Sequence, residues 1–115
     1  MTGTSFRFRL ERVRALRERS EDVAKEALAG ALQEHRLSEE QVKAAEDSMA
    51  RARAAQLDAT GRASSASDLL ARQAYLERTE QVHLASRQNL QRHEIEVEKR
   101  KEALTAAARE RKALE

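Results

Sequence analysis

The sequence has no proline, no cysteine and no tryptophan, and its 115 residues include only three glycines, two phenylalanines and one tyrosine. Each absence excludes something. Without cysteine there is no disulfide framework, no zinc ribbon and no thiol nucleophile. Without proline, nothing forces a helix to stop. With aromatics at 3%, the chain lacks the bulk that closes a globular core. Three widely separated glycines provide no glycine-rich phosphate loop. No apolar run approaches the length of a membrane span, and the N-terminus lacks the apolar core of a signal peptide. These last absences predict a cytoplasmic protein that does not span a membrane.

What is present points to helix. Charged residues make up 37% of the chain, and nearly half of the 40% apolar fraction is alanine. Ala, Leu, Glu, Arg, Lys and Gln dominate, and these are the strongest helix formers. The net charge of +2 comes from acids and bases that are interspersed rather than blocked. A nucleic-acid cleft needs a concentrated basic stripe, so nucleic acid is not an expected partner. The predicted fold class is all-α.

Residues 59–68, ATGRASSASD, interrupt the helical pattern with Gly61 and three serines. Small polar residues mark a turn, and Ser65 followed by Asp68 resembles a capping box that opens a new helix. About fifty residues lie on each side. This predicts one antiparallel coiled-coil hairpin over residues 1–115, with helix 1 at about 6–59, a turn at about 60–67 and helix 2 at about 68–115. In the second arm Leu69, Leu76, His83, Leu90, Val97 and Leu104 recur every seven residues. Three positions further on in each repeat stand Arg72, Thr79, Ser86, His93, Arg100, Ala107 and Leu114. The first arm mirrors them with Leu28, His35, Val42 and Met49 beside Ala31, Ser38, Ala45 and Ala52. Small residues at one seam position let two helices approach closely and receive a large residue from the facing helix. Glu94 to Glu98 alternates like a strand, but its flanks keep the seven-residue beat and it is expected to be helical. The highly charged end, EVEKRKEALTAAARERKALE, then needs to bury only Val97, Leu104, Ala107, Ala108 and Leu114.

The residues carry little reaction chemistry. No histidine has another three or four positions away, so no helix face holds a ligand pair of its own. Folding about residue 64 brings His35 and His93 level, but a metal needs further ligands, so both are expected as partly exposed seam residues. His93-Glu94 begins like HExxH, yet Val97 stands where the second histidine belongs. Ser38-Glu39-Glu40-Gln41 fits a capping box that would mark a helix restart. Heptads run through it, so solvated helix surface is the expected reading. A two-helix rod offers no pocket for a Ser–His–acid arrangement. The chain is expected to be no enzyme and to need no cofactor or metal.

The first helix opens with FRFRLERVRALRER, residues 6–19, which places Arg at 7, 9, 12, 14, 17 and 19 beside both phenylalanines. A basic amphipathic helix with aromatic anchors suits an acidic partner or an anionic membrane surface. Alternatively Leu10, Val13 and Leu16 belong to the seam and the arginines form a solvated face.

These segments resemble a known family. FRFRLERVRALRERSEDVAKEALAGAL is similar to the start of the flagellar export protein FliJ family, with its Phe-x-Phe-x-Leu entry. VEKRKEALTAAARERKALE is similar to that family's tail, where ERK-x-LE is typical and members often continue further. The resemblance covers nearly the whole chain. It implies a non-catalytic antiparallel coiled coil of the bacterial flagellar type III export apparatus, peripherally associated with the flagellar base at the inner membrane. Such a stalk occupies the pore of a hexameric export ATPase and stimulates it. It also contacts the membrane export gate protein and recycles export chaperones. Carried onto this sequence, the resemblance implies that Phe6, Phe8, Leu10, Arg12, Arg109 and Lys112 meet the ATPase ring. The family's gate-contact pattern falls on Ser38, Val42, Ala45 and Met49 in the first arm and on Arg72, Leu76, Thr79 and His83 in the second. Leu76 and His83 match it, and the family's aromatics are missing. The implied gate contact is therefore Val42, Met49, Leu76, Thr79 and His83.

Other readings stay open. A stalk of a related type III secretion system would look similar, as would a generic coiled-coil adaptor or assembly protein. A homodimer of long helices requires continuous helix through residues 59–68, whereas an export component is expected as a monomer. A peripheral membrane or nucleic-acid binder would lose affinity steeply with salt.

Overall fold

The computed structural model describes residues 2–62 and 64–114; Met1, Ala63 within the expected turn, and Glu115 at the end of the expected second helix lie outside the described residues. Two helices form, α1 at Thr2–Thr60 and α2 at Ala66–Lys112, and among the described residues there is no strand. The fold is an antiparallel helical hairpin. Residues 94–98 are helical despite their alternation.

The break between the helices is built from local hydrogen bonds. Gly61 N–H donates to the Leu57 carbonyl at 3.2 Å, and Arg62 N–H donates to Ala59 at 3.3 Å, tightening the last turn of α1. The Thr60 hydroxyl donates to the same Leu57 carbonyl at 2.8 Å. Ser65 then caps α2, its hydroxyl oxygen accepting from Asp68 N–H at 3.1 Å. Asp68 in the first turn and Arg109, Arg111 and Lys112 in the last carry the charges that complement the α2 dipole. A continuous helix through this segment, as a long-helix dimer needs, does not form.

The chain divides into two compact units. The turn unit, His35–His93, holds the connection between the helices. Its most buried side chains are small: Ser38 (2% exposed), Ala45, Ala52 and Ala59 on α1, and Thr79 on α2. The large members of the heptad, Val42, Met49, Leu69, Leu76 and Leu90, are only half-buried. Small residues set the approach of the two helices, and the large ones flank that line of contact. Ser38 is neither a helix restart nor solvated surface. The helix runs through it unbroken, and its buried hydroxyl accepts from Asn89 Nδ2 at 3.2 Å.

The terminal unit, Met1–Glu34 with Glu94–Glu115, buries Ala31, Val97 and Ala107. Leu28, Leu104, Ala108 and Leu114 are half-buried around them. Two seam expectations fail for one physical reason. Arg72 in the turn unit and Arg100 in the terminal unit stay exposed, because each bonds an acid four residues earlier on its own helix. Arg72 Nε donates to Asp68 Oδ2 at 3.0 Å and Arg100 Nε to Glu96 Oε1 at 2.8 Å. A guanidinium is kept in water more cheaply than it is buried.

Candidate functional site

In the terminal unit the seam ends on charge. Glu21 stands seven residues before Leu28, and Arg111 stands seven after Leu104, so both continue the heptad. Glu21 is buried, and Arg111 Nε donates to its Oε2. Lys25 Nζ adds a contact of 3.6 Å to Oε1. The hydrogen bond from Arg111 outweighs the cost of desolvation and, aided by the charges of Arg111 and Lys25, holds the Glu21 carboxyl below its ordinary range. One turn earlier, Arg17 Nη1 reaches Glu110 Oε2 at 2.7 Å. Reading the heptads as apolar passed over this Glu21–Arg111 closure, although the seven-residue count extends to both residues.

Residues 3–20 of α1 are all exposed. Phe6 is 61%, Phe8 59% and Leu10 42% exposed. Leu10, Val13 and Leu16 are exposed rather than packed in the seam, and among the described residues Arg17 is the first of α1 seen to bond α2. Phe6, Leu10 and Val13 share a stripe at i, i+4 and i+7, whereas Phe8 points to the other side of the helix. A shallow cleft beside Phe6 is completed by Gly3, Ser5 and Arg9. Arg12, Arg109 and Lys112 are also exposed. Thus the six residues implied for the ATPase ring all reach solvent within one unit.

The five residues implied for the gate lie together in the turn unit, at seam positions of both helices. Val42, Met49, Leu76 and His83 are half-buried and Thr79 is buried. The Thr79 hydroxyl donates back to the Leu76 carbonyl at 2.7 Å. His83 Nε2 lies 3.4 Å from Glu46 Oε1 on α1. The Ser38–Asn89 bond fixes a register that places His35 and His93 at one level, and His35 Nδ1 is 3.0 Å from Glu39 Oε1. Among the described residues no group of three or more His, Asp or Glu side chains is arranged to hold a metal ion. None of the described helices is long and apolar enough to cross a membrane.

A family model described as the flagellar FliJ protein matches residues 6–115. No curated protein and no solved structure matches the chain.

Proposed function

The chain belongs to the flagellar FliJ family over residues 6–115, and on that premise we propose that it is a coiled-coil stalk that binds and stimulates the hexameric flagellar export ATPase. The observation that carries the reading is the exposed start of α1, where Phe6, Phe8 and Leu10 are open to solvent beside Arg12. Unburied aromatics flanked by cations are the residue types that concentrate binding energy at protein interfaces. Arg109 and Lys112 at the end of α2 complete the ring contact. The chain acts without catalytic groups of its own, as a monomer in the cytoplasm, peripherally associated with the flagellar base at the inner membrane. Its contact with the membrane export gate protein runs through Val42, Met49, Leu76, Thr79 and His83. Export chaperones are its third class of partner.

The experiment is ATP hydrolysis by the purified flagellar export ATPase with and without the chain, beside a Phe6→Ala/Phe8→Ala variant and a version lacking residues 1–19. The expected result is a stimulated rate that both altered chains lose while keeping the helicity of α2. No stimulation by the intact chain, together with no co-migration with the ATPase ring, overturns the proposal. Stimulation of only the ATPase of a related secretion system would assign the stalk to that system instead.

A further inference from the structure

The positive charge of this chain is concentrated at the start of α1. Residues 2–19 hold six arginines against two glutamates, Glu11 and Glu18, and are positive by four charges; the remainder of a chain of net charge +2 is therefore negative by two. The same segment keeps large apolar side chains in water, with Phe6 61%, Leu10 42% and Val13 38% exposed. These three stand at i, i+4 and i+7 and form one stripe. Phe6 and Arg9 line the same shallow cleft.

Four of the arginines surround that stripe, and the two acids do not. At about 100° per residue, Arg9 falls about 65° to one side of the stripe's centre, and Arg14 and Arg7 fall about 75° and about 95° to the other. Arg17 falls close to the centre, where its guanidinium is bonded to Glu110 of α2. Glu11 and Glu18, seven residues apart, lie more than about 110° away, on the far half of the helix with Arg12, Arg19 and Phe8. Among the described residues Arg7, Arg9 and Arg14 make no ion pair.

We propose that the start of α1 binds an anionic lipid surface, lying in its headgroup layer with Phe6, Leu10 and Val13 toward the acyl chains and Arg7, Arg9 and Arg14 at the lipid phosphates. Cations on both flanks of an apolar stripe suit such a surface, because their stems lie along the apolar layer while the guanidiniums reach headgroups on either side. The placement of the acids favours a plane over an acidic groove in a protein. A groove meets a helix on several sides and would also meet Glu11 and Glu18, whereas a plane meets one half, and in residues 2–19 that half has no acid. The helix rests on the surface, since none of the described helices is long and apolar enough to cross a membrane. This inference goes beyond the stalk reading. The two share Phe6 and Leu10, so a chain held in the ATPase ring and a chain held on lipid are alternatives.

The test is co-sedimentation of the full chain, with no ATPase present, on vesicles of phosphatidylcholine alone and of phosphatidylcholine with an equal part of phosphatidylglycerol. Each arginine near an anionic surface adds about fivefold to affinity, so the three predict a preference of roughly a hundredfold for the anionic vesicles. Raising salt from about 0.1 M to about 1 M shortens the screening length from about 10 Å to about 3 Å and should remove most of that preference. Arg9→Gln/Arg14→Gln should weaken binding to anionic vesicles about 25-fold. Val13→Glu, at an exposed position, should weaken it about tenfold. Both variants should keep the helicity of the unaltered chain by circular dichroism. Positions 9, 13 and 14 are not among those proposed for the ATPase ring, so these variants should lose lipid and keep stimulation, and failure of either reading shows without the other. Polyglutamate is the competing probe: a chain that binds it and ignores vesicles takes an acidic polypeptide, which overturns the proposal. Equal binding to the two vesicle types, or binding unchanged in Arg9→Gln/Arg14→Gln, would overturn it as well.

Discussion

Val97 and Val82 offer a controlled comparison, since the same two carbons can be deleted from a buried seam position and from an exposed one. Val97 is 6% exposed and Val82 is 61% exposed. Removing two carbons costs about 1.6 kcal/mol at full burial, at about 0.8 kcal/mol each. Scaled by burial, Val97→Ala forfeits about 1.5 kcal/mol and Val82→Ala about 0.6 kcal/mol. Alanine is the better helix former by about 0.5 kcal/mol, and this gain is the same at both sites. Val97→Ala should therefore destabilise by about 1 kcal/mol and Val82→Ala by close to nothing. The gap of about 0.9 kcal/mol between the two is independent of propensity, which cancels. Urea unfolding of both variants, followed by far-ultraviolet circular dichroism, measures it. Native-state hydrogen exchange around residues 94–100 should show the Val97 loss within the terminal unit. Equal losses, or a larger one at Val82, would mean that position 97 does not carry the seam.

Three further expectations test other contacts. Glu21 is held below its ordinary range, so its stabilising effect is complete above the unfolded value of about 4.3 and is lost as pH falls below it. Urea midpoints of the wild type and Glu21→Gln should differ most near neutrality and converge on acidification; a constant gap between pH 7 and pH 3 (about one unit below the unfolded value) counts against the Arg111 pairing. Ser65→Ala removes the α2 cap and should cost about 1 kcal/mol in thermal unfolding, with Ser65→Asp retaining most of it. Gly61→Ala should stabilise by about 0.4–1 kcal/mol, since no described glycine has a positive φ and a Cβ there meets backbone oxygens only at 3.6 and 3.7 Å. A lower melting temperature for Gly61→Ala would show that the turn needs a glycine conformation.

Much of the fold is legible in the heptads because a seam records its partner in its own spacing. Ala31, Ser38, Ala45 and Ala52 repeat every seven residues, and all four are buried. The turn is legible in Ser65 and Asp68, whose cap forms. The exceptions have local causes. Arg72 and Arg100 occupy seam positions, but an acid one turn back draws each guanidinium outward. Leu10, Val13 and Leu16 carry a helical stripe yet are exposed, and periodicity in α1 alone does not say whether α2 packs against it. For the same reason the seam reading of the first segment is decided only once the structure is known. A groove in the turn unit was out of reach of any single window. Its Ala44–Ser48 and Val82–Ala85 walls stand on different helices and look unremarkable until the register joins them.

The small residues buried at 38, 45, 52 and 59 also bear on how the two helices find their alignment. Displacing one helix by seven residues would again set a serine or alanine against the same kind of neighbour. The apolar contact in the turn unit therefore works like a ruler with equal divisions and does not by itself tell one setting from the next. What distinguishes them is the five-residue connection from Gly61 to Ser65 and a few unrepeated pairs, Ser38 with Asn89 and Arg53 with Glu80. If the two helices were supplied as separate peptides, they would share several settings of similar energy. Joined through so short a connection, they keep only the one that the connection can reach.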